Sequence, residues 1–210
     1  MTKQQIDALR EEVKRRLPEK RLAHVLGVEE QIVFLGELLL PKELDRLRVA
    51  ALLHDIAKDV PDSEQLALCR RLGVPLTEKE ANTPPIIHAQ SGAFIAARDF
   101  PHLVDEEILW AIRHHTVGAV GMPLFARLLM LSDFTEKGRT WDRCIESRRF
   151  LSHITDYTTY ESRLQYFHDA FYYALRLRYD YLGTVTEDAE GHAKALLSYY
   201  ASFASKAYES

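Results

Sequence analysis

Apolar residues recur at helical spacing along most of the chain, with few stretches that alternate between apolar and polar positions. No sustained two-residue period and no Asn-Gly or Asp-Gly hairpin is present, so strands are not expected. Proline, glycine and capping residues divide the pattern into segments. The sequence predicts helices over residues 2–16, 18–40, 42–57, 62–73, 86–97, 106–115 and 123–133, with a cap at Thr2, at Asp62 or Ser63 and at Asp105, and with a loop over 77–85.

The composition shifts towards aromatic residues from Trp141 onward. Two further stripes at helical spacing predict two long helices that pack on the preceding part. The stripes are Leu164, Phe167, Phe171, Leu175 and Leu182, then Leu196, Tyr199, Tyr200 and Phe203. We therefore predict an all-α bundle, a single domain with a core over residues 1–140 and a C-terminal helical extension over 141–210. Aromatic stripes are typical of a core, although these could also form a homodimer interface.

Composition excludes several classes of function. The chain has 210 residues, 47% of them hydrophobic, and a net charge of −4, so no global positive field is available to hold a nucleic-acid backbone. A local basic pocket for a small phosphate ligand remains possible. The N-terminus has no apolar signal segment, and no apolar run reaches the roughly 18 residues that span a bilayer, so we expect a cytoplasmic protein without membrane contact. Cys69 and Cys144 are too isolated for a disulfide framework or a thiolate zinc site.

The apolar run over residues 49–53 is followed directly by His54 and Asp55. Burying a neutral polar group without a partner costs on the order of 2–7 kcal/mol, so this pair needs compensation. A metal ion would provide it, since imidazole nitrogen and carboxylate oxygen are common ligands. A hydrogen-bonded pair that pins a helix would also provide it. This stretch alone leaves both interpretations open.

Similar polar interruptions occur in four other apolar segments. Each alone has a simple explanation, because a single histidine on an apolar face is usually a satisfied core residue and an aspartate at a helix end is usually a cap. Buried polar groups, however, tend to cluster so that they satisfy one another. The five segments contain His24, His54-Asp55, His88, His114-His115 and Asp133.

Imidazoles and carboxylates without a thiolate favour iron, manganese or zinc over calcium or magnesium. Two such ions about 3.5–4 Å apart can hold a bridging hydroxide and polarise a phosphoryl oxygen. Lys58 and Arg139 could offset charge that develops on phosphate oxygens. Their alternative interpretations are a solvated helix end and a surface loop charge.

The order of these residues resembles the HD-domain metal-dependent phosphohydrolases. The local strings are still more similar to one branch of that family, the symmetrical bis(5′-nucleosyl)-tetraphosphatases (YqeK-type). The resemblance covers residues 18 to 140, and five strings carry it in order. They are KRLAHVLGV (20–28), ALLHDIAKDVP (51–61), NTPPIIH (82–88), AIRHHTVG (111–118) and LSDFTEKGR (131–139).

The resemblance implies a role for each matching residue. His24, His54, Asp55 and Asp133 would bind one ion, and Asp55 would bridge to a second ion or to the phosphate region, where His88 and His115 match. In this interpretation Asp55, Lys58 and Arg139 are catalytic. The residues implied to contact the substrate are His88, His115, Asp133, Arg139 and Lys58, whereas His114 is a packing residue.

The sequence departs from the family pattern at Lys137, where proline is usual, and at Ser132, where alanine is commoner. Neither change removes an implied ligand. Residues 169–175 fall where the family closes the pocket over the nucleoside, but its polar residues are not reproduced there. The aromatic residues of this segment are therefore expected in the core.

The resemblance implies hydrolysis of a dinucleoside tetraphosphate, such as diadenosine tetraphosphate, to two nucleoside diphosphates, with a metal-activated hydroxide as nucleophile. It favours iron, as one or two ions, with manganese or zinc as alternatives. The partners are then a small nucleotide substrate and its diphosphate product. Two alternative functions remain: another HD phosphohydrolase, such as a nucleoside 5′-monophosphatase, and a non-catalytic nucleotide-sensing module.

Overall fold

The computed structural model describes residues 1–74, 84–182 and 187–205. Within those ranges the protein consists of ten α-helices and two short 3₁₀ turns, and contains no strand, which confirms the predicted all-α class. The helices are α1 (Lys3–Arg16), α2 (Glu19–Leu39), α3 (Leu44–Leu53), α4 (Asp62–Arg71), α5 (Pro84–Asp99), α6 (Glu106–His114), α7 (Leu124–Thr135), α8 (Asp142–Ser152), α9 (Tyr160–Leu182) and α10 (Glu187–Ala201).

Two helices begin at the predicted caps. The Thr2 hydroxyl accepts a hydrogen bond from the amide of Gln5, whose side chain accepts from the amide of Thr2 in return. The Asp105 carboxylate accepts from the amide of Ile108 at 3.0 Å. Both contacts satisfy amides that have no partner inside the helix, so the sequence positions the starts of α1 and α6 locally.

Other predicted boundaries were wrong. The cap of α4 is Pro61, and Asp62 is already the first helical residue. Helix α5 includes Pro84 and Pro85, which the sequence had assigned to a loop, because proline is well suited to a first helical turn. The rest of that predicted loop, residues 77–83, lies outside the described residues.

The predicted third helix ends earlier than expected. Helix α3 stops at Leu53, and residues 54–59 form tight turns, in which the amide of Lys58 donates to the carbonyl of Asp55 at 3.0 Å. The side chains of His54 and Asp55 therefore leave the chain where α3 ends.

Helix α7 lies at the centre of the bundle. It packs against α2, α3, α6, α8 and α9, and its residues from Phe125 to Thr135 are all buried. A helix that is apolar on nearly every side is typical of such a central position. Any charged side chain near its end, such as Asp133, is consequently enclosed by the surrounding helices.

The aromatic stripes of the C-terminal helices belong to the core. Phe167, Phe171 and Leu175 of α9 are buried, as are Leu196 and Tyr200 of α10. Helix α9 packs against α2, α7 and α8, so this part of the chain covers one side of the bundle. None of the described helices combines the length and apolar character needed to cross a membrane.

Candidate metal centre and pocket

The structure brings the six predicted ligands together, although they come from five separate elements. The imidazoles and carboxylates converge where several helices end beside the last turn of α7. The six residues are His24 of α2, His54 and Asp55 after α3, His88 of α5, His115 after α6 and Asp133 of α7.

His54 is oriented as a ligand. Its Nδ1 donates to the backbone carbonyl of Ala51 at 2.7 Å, which leaves Nε2 with a free lone pair. That Nε2 is buried and has no hydrogen-bond partner among the described residues. Burial lowers the pKa of His54 to about 4, so the ring is neutral at pH 7. An orphaned, neutral imidazole nitrogen aimed at two carboxylates fits a metal ion.

Two overlapping groups of side chains have ligand atoms close enough to share an ion. In each group the atoms lie within 4.8 Å of one another. The first group is His24, His54 and Asp133, and the second is His54, Asp55 and His115. The donor set of imidazoles and carboxylates therefore fits the metal that the sequence pattern implies.

The Asp55 carboxylate lies between the two halves of the cluster. Its Oδ2 is 3.7 Å from the Nε2 atoms of both His24 and His54. Its Oδ1 is 3.3 Å from Nε2 of His88 and 3.6 Å from Nε2 of His115. A carboxylate with one oxygen towards each half has the placement that a bridging ligand requires.

The adjacent residues His114 and His115 have side chains in different surroundings. His115 Nδ1 is 2.6 Å from the carbonyl oxygen of Ile112, and its Nε2 faces the cluster. His114 instead stacks on Trp110 with ring centres 3.9 Å apart. The structure thus places His115 in the cluster and His114 outside it.

His88 occupies the pocket side of the cluster. Its Nε2 is 3.3 Å from that of His115 and 3.1 Å from the Thr116 hydroxyl, and its Nδ1 is 3.0 Å from Lys58 Nζ. Burial, together with the neighbouring His115, lowers the pKa of His88 to about 2. Burial also lowers the pKa of Lys58. His88 is therefore neutral, with a proton on one ring nitrogen and the other nitrogen available as an acceptor.

Glu136 is a member of the site that the sequence interpretation missed. It is buried and lies 3.1 Å from Nδ1 of His24, whose Nε2 is 3.1 Å from Asp133 Oδ1. Burial opposes protonation of His24, but the hydrogen bonds to Asp133 and Glu136 outweigh it and raise the pKa of His24 to about 9. Without a metal the ring is therefore protonated at pH 7, and an ion bound at Nε2 would displace the proton from that atom. A carboxylate three residues after Asp133 was the available signal.

Two arginines pair with the carboxylates of the cluster. Arg21 Nη1 is 2.6 Å from Asp55 Oδ2, and Arg21 Nε is 3.0 Å from Asp59. Arg139 donates to the Asp133 carboxylate and, through Nε, to the Asp133 carbonyl at 2.9 Å. Burial would raise the pKa of Asp133, but Arg139 lowers it well below the usual range. Asp133 is therefore ionised.

Four members of the cluster, Asp55, His88, His115 and Asp133, line a pocket of about 340 Å³. Among the described residues of this lining, Asp55 and Asp133 are the carboxylates, and the cations are more numerous. These are Arg21, Lys58, Arg139, Arg143 and Arg178. The pocket is thus basic although the whole chain is acidic.

Sequence reasoning assigned no role to Arg21, Arg143, Arg178, Thr116 or Trp141, which all line this pocket. Arg21 lies within the 20–28 string, and Trp141 and Arg143 lie two and four residues after Arg139. The sequence thus places these residues near implied site residues along the chain, but it does not show that their side chains meet in one pocket. Arg178 lies on α9 and has no local signal in the sequence.

Helix α9 lines the pocket through Arg178, whereas the family resemblance had pointed to residues 169–175. Phe171 is buried, as expected of a core residue. Arg178 donates to the carbonyl of Thr116, and its guanidinium carbon lies 5.5 Å from the centre of the Phe134 ring. The C-terminal part therefore contributes a cation to the pocket.

Comparison with known proteins identifies the family of this chain. A family description of the HD domain matches residues 21–143, the range that contains the whole cluster. A symmetrical bis(5′-nucleosyl)-tetraphosphatase from Bacillus subtilis is 33% identical over 137 residues, which cover 65% of this chain and 72% of the relative. A protein of the same description from Staphylococcus aureus is 33% identical over 129 residues, covering 60% of this chain and 64% of the relative.

A solved structure from Clostridium acetobutylicum is similar in fold, with a TM-score of 0.74. It is described as a predicted HD superfamily hydrolase involved in NAD metabolism, and the two sequences are 24% identical. The match covers 93% of this chain and 96% of that one. The chain belongs to the HD domain family and, within it, to the group of symmetrical bis(5′-nucleosyl)-tetraphosphatases.

Proposed function

We propose that this protein hydrolyses dinucleoside tetraphosphates at their central anhydride, so that diadenosine tetraphosphate and water give two molecules of ADP. The observation that carries the proposal is the pocket, whose lining combines four members of the His/Asp cluster with five cations. The two bacterial relatives at 33% identity, which are symmetrical bis(5′-nucleosyl)-tetraphosphatases, support the same reaction.

In this proposal His24, His54, Asp55 and Asp133 would hold one metal ion, and Asp55 would also contribute to a second site with His88 and His115. Imidazole and carboxylate ligands without thiolate suit iron, with manganese or zinc as alternatives. Such ions, when bound, lower the pKa of water towards about 7 and withdraw charge from phosphoryl oxygens. Metal analysis of the purified protein decides between the three elements.

The protein's own groups have separate tasks. The backbone carbonyls of Ala51 and Ile112 hold His54 and His115 with Nε2 towards the centre. Lys58 and Arg139 line the pocket together with Asp55 and Asp133, where they can contact phosphate oxygens. Negative charge on a departing diphosphate is spread over several oxygens, so fixed cations stabilise it without a dedicated proton donor.

Both parts of the chain contribute to this site. Residues 1–140 carry the six proposed ligands together with Lys58 and Arg139. Residues 141–210 would add the pocket wall through Trp141, Arg143 and Arg178. The C-terminal extension is thus proposed to complete the substrate pocket in addition to packing on the core.

The test is the product of the reaction. The metal-containing protein is incubated with diadenosine tetraphosphate and the nucleotides are separated by chromatography. ADP as sole product supports the proposal. ATP with AMP would show asymmetric cleavage, phosphate released from AMP would indicate a nucleoside 5′-monophosphatase, and unchanged substrate would indicate a non-catalytic nucleotide-sensing module.

Two matched aspartates provide the control. Asp55 and Asp59 both pair with Arg21, but only Asp55 faces the histidines. Asp55→Asn should lower kcat by more than about 100-fold and lower the bound metal, since even outer contacts to metal ligands are worth about 10–100-fold. Asp59→Asn should keep both values close to wild type. Equal losses in the two variants would contradict the assignment of Asp55.

A further inference from the structure

Trp141 is an aromatic side chain without a role in the reaction as proposed so far. It lines the pocket, yet 55% of its surface is exposed. The other tryptophan, Trp110, is partly buried and stacks on His114. Single exposed rings are common on protein surfaces, but this indole also lines the candidate pocket, where a flat ring can contribute to ligand binding.

The indole adjoins the cations of the pocket. The guanidinium carbons of Arg139 and Arg143 lie 5.5 and 4.8 Å from the centre of its ring. Arg139 also donates to Asp133 in the metal-ligand cluster. One arginine therefore contacts both a carboxylate of the cluster and the aromatic ring.

We infer that Trp141 is the stacking platform for one nucleobase of the substrate, an inference that rests on the proposed function. A nucleoside polyphosphate presents a flat ring at a short distance from its phosphates, which matches an indole next to arginines. Stacking on an aromatic side chain is tolerant of base identity, because every base has a π face. Trp141 thus supplies affinity for nucleotides in general, with little discrimination between bases.

The first experiment measures the intrinsic fluorescence of Trp141. Trp110→Phe leaves Trp141 as the sole tryptophan. Addition of ADP should then quench the fluorescence of the metal-containing protein, whereas inorganic pyrophosphate, which has no base, should not. Quenching of equal size by both compounds, or by neither, would overturn the inference.

The second experiment measures the energetic contribution. Trp141→Ala should raise KM for diadenosine tetraphosphate between about fivefold and 100-fold, the range that base–aromatic stacking gives. The value of kcat should stay within about twofold, since the contact is equally present in the ground state and the transition state. Trp141→Phe, which retains a ring, should lie between wild type and Trp141→Ala.

The matched control is Tyr160→Ala, which removes a ring that is 47% exposed and does not line the pocket. Its KM should equal that of wild type. Inhibition by ADP should weaken in Trp141→Ala while inhibition by pyrophosphate does not. Equal weakening of both would mean that Trp141 acts only by placing Arg139, and would contradict the platform.

Failure of the two proposals is distinguishable. If wild-type protein forms no ADP from diadenosine tetraphosphate, the proposed reaction fails, whatever Trp141 binds. If wild type forms ADP while Trp141→Ala has an unchanged KM and the single-tryptophan protein shows no quenching by ADP, the reaction stands and the platform is wrong.

Discussion

At the scale of single residues, His54 and His115 are held in the same way. Each places Nδ1 beside the backbone carbonyl three residues earlier, at 2.7 Å from Ala51 and 2.6 Å from Ile112. This contact fixes the donor at Nδ1 and leaves Nε2 as the acceptor that a metal needs. The sequence shows that these residues are histidines. The hydrogen bond that orients each ring forms because the histidine directly follows a helix, whose last carbonyls are free to accept.

Glu136 has the corresponding role for His24, with a carboxylate in place of a backbone carbonyl. Glu136→Gln should raise the metal dissociation constant by about 10–100-fold, as expected when a hydrogen-bond partner of a metal-binding histidine is weakened. The measurement is a metal titration of protein prepared without metal. Activity should return at saturating metal, because the ligands themselves are unchanged.

The matched control for this prediction is Glu30→Gln on α2. Its carboxylate pairs with Lys137, and its side chain is 64% exposed. Its metal affinity should match that of wild type. A similar loss in both variants, or no loss in Glu136→Gln, would show that Glu136 does not position His24.

At the scale of elements, the close approach of α2 to the end of α7 depends on a glycine. A Cβ atom at Gly27 would lie 2.5 Å from Oε2 of Glu136, whose carboxylate also accepts from the amide of Gly138. Gly27→Ala should therefore lower the free energy of unfolding by about 1–2 kcal/mol, the cost typical of overpacking, despite the better helix propensity of alanine. Urea denaturation measures this change.

Gly191 in α10 offers the opposite case, since no atom of the described residues lies within 4 Å of the position that its Cβ would take. Gly191→Ala should raise the free energy of unfolding by up to about 1 kcal/mol through helix propensity alone. If both alanines stabilise the protein, the contact between α2 and Glu136 is looser than the structure indicates.

The contact between α7 and α9 predicts a dependence of stability on pH. His168 Nδ1 lies 2.8 Å from Nη1 of Arg127 and accepts its hydrogen bond. Burial and the Arg127 charge lower the pKa of His168 from 6.5 to about 4. Between these values the unfolded chain binds more protons than the folded one, so this contribution to stability is lost as pH falls from about 6.5 to about 4.

His168→Gln keeps an acceptor for Arg127 but cannot titrate. Its melting temperature should fall less steeply than that of wild type between about pH 7 and pH 4, while the two curves run parallel above about pH 7. Thermal denaturation followed by circular dichroism at several pH values gives the comparison. Parallel curves over the whole range would contradict the assignment.

At the scale of the whole molecule, charge is unevenly distributed. The chain carries a net charge of −4, yet five cations and two carboxylates line the pocket. KM for the anionic substrate should therefore rise with salt between about 0.05 and 0.5 M, where the Debye length falls well below about 10 Å, while kcat changes little. Steady-state kinetics at several salt concentrations test this expectation.

Two substitutions of single cations distinguish the effect of pocket charge on KM from the effect of surface charge. Arg143→Gln should reduce the dependence of KM on salt, because Arg143 lines the pocket. Lys137→Gln should not, because that side chain is 72% exposed and is not part of the lining. A dependence on salt that is the same in both variants would place the relevant field elsewhere on the protein.

The choice of His115 over His114 needed the family resemblance, but the sequence by itself determined the all-α class and the polar residues that interrupt the apolar segments. Both are local in origin: helical spacing sets the elements, and a His or Asp in an apolar segment requires a polar partner. Only the tertiary structure decided which side chains from distant helices meet in the site. Glu136 meets His24, and Arg178 of α9 meets the residues after α6, only because helices distant in the chain pack around α7. Such long-range contacts have no local pattern, since packing geometry and not residue spacing brings them together.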